Sequence, residues 1–191
     1  MTTSPTPLLS AAIPGYTAGT WVIDPAHSDV SFTVRHLVVS KVRGSFRTFE
    51  GEIVLGPDPL DSSVSVSIDL ASIDTGNADR DTHLRTADFF DIEHHPTMTY
   101  RSSGVRAGDD GFVVDGELSL HGVTKSVELT LEVNGFQPVT PFGDSRVGFS
   151  ATAEINRSDF DIKFNMPLDG GGLALGEKIK VALEIQAVLQ V

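Results

Sequence analysis

Between Asp24 and Leu55 the chain reads DPAHSDVSFTVRHLVVSKVRGSFRTFEGEIVL, and two extended patterns meet inside it. From Ser28 to His36, Val30, Phe32 and Val34 alternate with Ser31, Thr33 and Arg35, which gives an extended segment one apolar and one polar face. A polar turn at Ser40–Lys41 follows. Val42, Gly44 and Phe46 then share one parity, whereas Phe49, Gly51, Ile53 and Leu55 share the other. One extra residue in a strand sends every later side chain to the opposite face. The change of parity near Arg47–Thr48 therefore predicts a bulge or sharp bend, where the chain passes from one side of a closed sheet to another. A long bent strand of this kind favours a barrel.

Outward from that stretch the alternation recurs. Trp21–Val22–Ile23 forms a short strand closed by the Asp24–Pro25 turn signal. Val64, Val66, Ile68 and Leu70 alternate with polar residues after the breaker cluster Gly56–Pro57–Asp58–Pro59. Thr97–Ser103 is extended, and Phe112, Val114, Gly116, Leu118 and Leu120 share a face. A turn at His121–Gly122 leads to Val127, Leu129, Leu131 and Val133, which makes a hairpin. Val147 to Ile155 and Ile179 to Val191 supply the last two strands, the latter the longest uninterrupted one.

Two stretches break the pattern. From Thr75 to Phe90, Asn77 is placed to cap a short helix with Asp79 and Asp81 in its first turn, and Leu84, Ala87 and Phe90 are expected inward. Arg157 to Gly176, with Gly170–Gly171–Gly172, reads as a long mobile loop that opens with one turn of 3₁₀ helix. Eight to ten strands joined mostly by short turns must be antiparallel. One apolar face per strand fits a sandwich or a barrel. The bent strand selects an all-β, antiparallel up-and-down barrel of about eight strands with a short helical insertion.

Fourteen basic against 26 acidic residues give a net charge of −12. Such a surface repels phosphate backbones and anionic membranes, so nucleic acid is excluded as a partner and stable membrane insertion is not expected. The absence of cysteine removes disulfides, thiolate metal sites and cysteine nucleophiles together. Met1 to Thr20 contains no Lys or Arg, and its apolar run from Leu8 is broken by Ser10 and stopped by Pro14. That pattern is not a secretory signal. Residues 1–19 are expected to be a disordered tail of a cytoplasmic protein, with one barrel domain over residues 20–191.

Inward positions mix large residues such as Phe32, Phe46 and Phe112 with small ones such as Gly44, Gly116, Ala151, Ala153 and Ala187. Either neighbouring side chains fill the space beside the small residues or an apolar ligand does.

The run Trp21-Val-Ile-Asp-Pro-Ala-His-Ser-Asp-Val-Ser-Phe-Thr-Val-Arg-His36, followed by Val42-Arg-Gly-Ser-Phe-Arg-Thr-Phe-Glu-Gly51, resembles the opening of the YceI-like family of lipid-binding proteins. The similarity continues through Ser72-Ile-Asp-Thr75, Arg80-Asp-Thr-His-Leu84, Asp88-Phe-Phe-Asp91 and Gly116-Glu-Leu-Ser-Leu-His-Gly-Val-Thr-Lys125, and ends near Ile155-Asn-Arg-Ser-Asp-Phe160. The resemblance implies a lipocalin-like barrel whose pore holds a polyisoprenoid or another long-chain amphiphile, with no cofactor. It also implies relatives that are often dimers. Ala182 and Val188 on the otherwise polar face of the last strand agree with a homodimer. One departure is Asp161, where relatives usually carry glycine, a residue that accepts a left-handed backbone more easily.

Under this reading the pore is lined by Phe32, Val34 and Phe46 from the first strands and by Leu118, Leu129 and Leu131 from the middle hairpin. Phe149, Ala151 and Leu183 complete it, and His36 and Arg80 are the candidate polar contacts to a head group. His36 has the parity of Val30, Phe32 and Val34, so it is either a core histidine bonded to a carbonyl or a ligand contact at the barrel mouth. Arg80 and Arg85 suit a phosphate, although neighbouring aspartates are the default partners. Lys125 and Arg157 are expected in surface ion pairs or loop caps.

The segment Arg80 to His95 concentrates Asp81, His83, Asp88, Asp91, Glu93, His94 and His95 without the spacing of a strong metal motif. A charged cover over one barrel end is therefore preferred to a metal site. Catalysis needs a nucleophile beside a base, and Ser28 next to His27 on a strand points to the opposite face. The readings that remain are a binding module for a lipid, an enzyme acting on such a lipid inside the barrel, and a stress-associated protein with an incidentally filled cavity.

Overall fold

Alternating side chains commit each segment to one buried face, and closing the sheet buries all of those faces together. The structure, a computed structural model, describes residues 9–191. Its strand segments are β1 (Gly19–Ile23), β2 (Asp29–His36), β3 (Ser40–Phe46), β4 (Phe49–Leu55), β5 (Ser63–Asp69) and β6 (Ile73–Asp74). They continue as β7 (Thr97–Ala107), β8 (Phe112–Leu120), β9 (Val123–Gln137), β10 (Arg146–Asn156) and β11 (Leu175–Leu189). A helix, α1 (Ala78–Leu84), lies between β6 and β7.

The eleven segments form eight staves. β1 and β2 both pair with β11, end to end along it. β4 pairs with β1 while β3 pairs with β2, and β5 pairs with β4 while β6 pairs with β3. From β5 the order runs β7, β8, β9, β10, β11, each antiparallel to the next, and Trp21 opposite Leu189 closes the ring. The architecture is a closed eight-stave antiparallel barrel.

Each broken stave reverses its inward parity at the break. Trp21 and Ile23 give way to Val30 and Val34, Phe46 to Phe49, and Ile68 to Ile73, all of them buried. The Arg47–Thr48 bend is joined to its neighbour by Arg47 N–H donating to the Ser72 carbonyl at 3.1 Å and by Thr48 N–H donating to Ser72 Oγ at 3.0 Å. Asp24, Asp58 and Asp69 each accept a backbone N–H two residues on, which starts a 3₁₀ turn at each corner.

Three local expectations are corrected. The β2–β3 turn falls at residues 37–39 and not at Ser40–Lys41, because Leu37 and Val38 adopt φ of 52° and 66°. Consecutive positive φ values match the twist of a hairpin and override their apolar character. Ala87 is exposed and Phe89 buried, since α1 stops at Leu84 and tight turns carry the chain onward. The loop after β10 is held rather than free: the buried Arg157 donates to the carbonyls of Ile162, Phe164 and Gly176 at 2.8–3.0 Å, and Asn165 bonds both backbone groups of Leu175. Arg157 is thus a loop cap with its guanidinium inside the protein, and burial works against its charge.

Of residues 1–19, those before residue 9 lie outside the described residues. The rest is not a loose tail: Tyr16 donates to the Gly56 carbonyl at 2.7 Å, and its ring packs 5.4 Å from that of Phe136. An aromatic with a polar tip gains from both contacts.

The small inward residues divide into two kinds. A Cβ at Gly116 would lie 2.4 Å from the Tyr100 hydroxyl, and one at Gly44 would lie 2.5 Å from Phe32. Both spaces are filled by the protein itself. Ala151 and Ala153 instead line open volume.

Candidate ligand cavity

Inside the ring lies a cavity of about 440 Å³, within the range of roughly 300–1,000 Å³ common for small-molecule sites. Its wall is almost wholly apolar. All eight staves contribute, for example through Ile53, Val66, Val105, Val127, Ile155 and Val181. The positions expected from the sequence meet there: Phe32, Val34, Phe46, Leu118, Leu129, Leu131, Phe149, Ala151 and Leu183 all face this space, as do His36 and Arg80.

Polar side chains gather at its two ends. At one, His36 sits opposite Leu175 in the β2–β11 register, with Thr75, Arg80 and Asn165 also on the wall. Arg80 Nε donates to Thr75 Oγ1 at 2.7 Å and Nη2 to the Thr75 carbonyl at 2.9 Å. The Thr75 hydroxyl in turn donates to buried Asp81 at 2.5 Å. Arg80 is therefore held by Thr75 rather than by an aspartate, and two of its three nitrogens are engaged. Arg85 is turned away onto the Ala71 and Ile73 carbonyls, which removes it from the head-group candidates. At the other end Tyr16 and Ser62 reach the wall from beside Gly56.

Within the wall, Tyr100 donates to the carbonyls of Val114 and Val127, at 3.1 and 3.0 Å. Burial, followed by the charges of Asp115 and Glu128, pushes its phenol up to about 12. His83 bonds Asp88 at 2.8 Å and stands edge-on to Phe89 and Phe164 at the cavity margin. Sequence reasoning did not place Thr75, Tyr16 and Asn165 at the site, because each lies in a stretch without strand alternation.

The catalytic pairing has no geometry to support it. Ser28 Oγ is bound to the backbone of Gln186 in both directions, at 2.9 and 3.2 Å, and His27 faces Asp24 at 2.8 Å.

Together these features define an up-and-down barrel enclosing an apolar lumen with polar groups at its ends. The profile of the YceI-like domain matches residues 21–187, and the chain belongs to that family. It is 38% identical to protein YceI of Escherichia coli O157:H7 over 141 residues, 73% of each chain. A Campylobacter jejuni YceI crystal structure superposes with a TM-score of 0.67 at 28% identity, over 94% of this chain and all of that one. A polyisoprenoid binding domain from Saccharophagus degradans, implicated in plant cell wall breakdown, shares the fold, with a TM-score of 0.68 at 16% identity over 91% of this chain and all of that one. Among the described residues no helix is long and apolar enough to cross a membrane.

Proposed function

We propose that this protein encloses a long-chain amphiphile, a polyisoprenoid of the quinone or prenyl phosphate type, and stores or carries it without altering it. The observation that carries this reading is the apolar cavity running between polar ends. A chain is the ligand shape that meets apolar surface along its length and polar groups only at a terminus. Each methylene taken from water contributes ~0.8 kcal/mol. About twenty buried carbons then contribute roughly 16 kcal/mol gross, against an association cost of roughly 4–15 kcal/mol. The remainder, roughly 1–12 kcal/mol, brackets the value of about 8 kcal/mol for micromolar binding, so the chain supplies the larger part of the affinity. The site is selective for chain length and shape, with His36 and Arg80 meeting the polar terminus.

Organic extraction of the purified protein followed by mass spectrometry tests this, with Ala151→Trp as the blocked form. A stoichiometric isoprenoid in the wild type, and its loss in a folded Trp variant, is the expected result. A folded Trp variant with its usual lipid would show that the chain lies elsewhere. Turnover of added lipid would replace binding by catalysis. Arg80→Ala is expected to weaken phosphorylated ligands alone. A homodimer is part of the proposal, with Ala182 and Val188 on the contact face, and light scattering near 20 kDa at all concentrations would remove it.

A further inference from the structure

Asp91 and His95 are four residues apart in sequence, and the fold brings a third ligand-bearing residue to them. Asp91 and His95 lie in the connection between α1 and β7, and His121 lies in the β8–β9 turn. One ligand atom from each lies within 4.8 Å of the other two, and all three side chains are partly buried. We infer that Asp91, His95 and His121 form a site for a divalent first-row transition metal ion, with Zn²⁺ the best fit.

Three features prepare these groups for a cation. His121 Nδ1–H donates to the Phe160 carbonyl at 3.1 Å. A carbonyl only accepts, so the neutral ring keeps its proton on Nδ1 and offers the Nε2 lone pair, the arrangement in which metal-binding imidazoles are usually held. The Asp91 carboxylate is oriented in the same way, accepting from His94 Nδ1 at 2.9–3.0 Å. The His95 ring makes no hydrogen bond among the described residues and stands 5.1 Å from the His121 ring, centroid to centroid.

The backbone is shaped around the cluster. Asp91 and His121 adopt φ of 49° and 53°, a conformation uncommon for non-glycine residues. A Cβ at Gly122 would come within 2.8 Å of His95 Cε1, so that glycine leaves room for the imidazole.

Two imidazoles and one carboxylate are a donor set for zinc and its neighbours, and leave a fourth position for water. Tetrahedral coordination at about 2.0–2.2 Å places ligand atoms roughly 3.3 Å apart, so the three must close in by up to about 1.5 Å. Partly exposed side chains can make that movement by rotation. Bound metal would fasten the connection that carries Phe89 and Phe90 into the cavity wall to the β8–β9 turn and, through His121, to the 3₁₀ turn ending at Phe160. It stabilises the cover of the polar end that contains Arg80.

Protein freed of metal with a chelator is titrated with Zn²⁺ by calorimetry and with Co²⁺ in the visible range. One equivalent of Zn²⁺ at micromolar affinity or tighter, a Co²⁺ d–d absorption and a higher melting temperature are expected. His95→Ala should lower the affinity about tenfold or more and remove the Co²⁺ band, while His27→Ala, far from the cluster, changes neither. His121→Ala also breaks the bond to Phe160 and can loosen the fold, so His95→Ala decides. A wild type that takes up no stoichiometric Zn²⁺, or a His95→Ala protein that binds as the wild type does, overturns the site.

Discussion

One half of the barrel is built from unbroken staves and the other from folded ones. β7 to β11 run 9–15 residues each with short turns between most of them. The other three staves are each split in two, and the splits adjoin one another, with Ser72 tied to both Arg47 and Thr48. A strand can keep its apolar side inward through a sharp corner only by resetting parity, and every break does so. The difference shows where the cavity gets its shape. Both halves line the cavity: in the unbroken half Tyr100 fills the space beside Gly116 while Ala151 and Ala153 border open volume, and the creased half has Phe32 beside Gly44 and leads into the cover after β6.

The largest expected effect is in the regular half. Gly116→Ala drives a methyl into the Tyr100 hydroxyl and breaks two hydrogen bonds inside a paired wall, so a loss of about 3 kcal/mol is expected by chemical denaturation. Alkaline pH probes the same residue. The Tyr100 phenol is raised by burial, so the folded state keeps its proton where the unfolded chain has lost it. Its contribution is whole below pH 10 and is lost as the pH rises toward about 12. The loss amounts to about 2 kcal/mol; Tyr100→Phe should flatten that limb of the stability curve.

The matching change in the creased half is milder. Gly44→Ala meets the tip of Phe32, whose half-buried ring borders the cavity and can swing into it, so about 1 kcal/mol is expected. A loss equal to that of Gly116→Ala would erase the distinction between the halves. A competition assay with a lipid probe would sharpen it, because only the Gly44 variant should lose affinity in step with the displaced ring. Smallest is Asp161→Gly. Asp161 has φ of 60°, so glycine should raise stability by less than about 1 kcal/mol, read as a small increase in melting temperature.

The sequence showed the staves far better than the corners. Alternation in Val30–Val34 or Phe112–Leu120 is a direct image of a buried face, and the parity jump at Arg47–Thr48 is a direct image of the crease. The cavity wall was legible for the same reason, since inward parity names its residues. Leu37–Val38 was not, because positive φ there is imposed by the hairpin and no glycine or asparagine announces it. Arg157 and Asn165 were hidden in a glycine-rich segment whose order comes from side chains bonding to distant carbonyls. The Asp91, His95 and His121 cluster was invisible for a further reason: turns set together by pairing 25–30 residues apart leave no local spacing to count.

The pairing of Trp21 with Leu189 also sets the order of events during synthesis. The β8–β9 hairpin can form as soon as its own residues are made, but β1 has one of its two neighbours at the far end of the domain. Its partner contacts span almost the whole chain, and such long-range closure is slow. Until β11 emerges, the growing sheet is an open strip with two unpaired margins and an apolar side facing water. For that interval a nascent chain is prone to join its neighbours, and a lipid that occupies the half-formed lumen would shield the same surface.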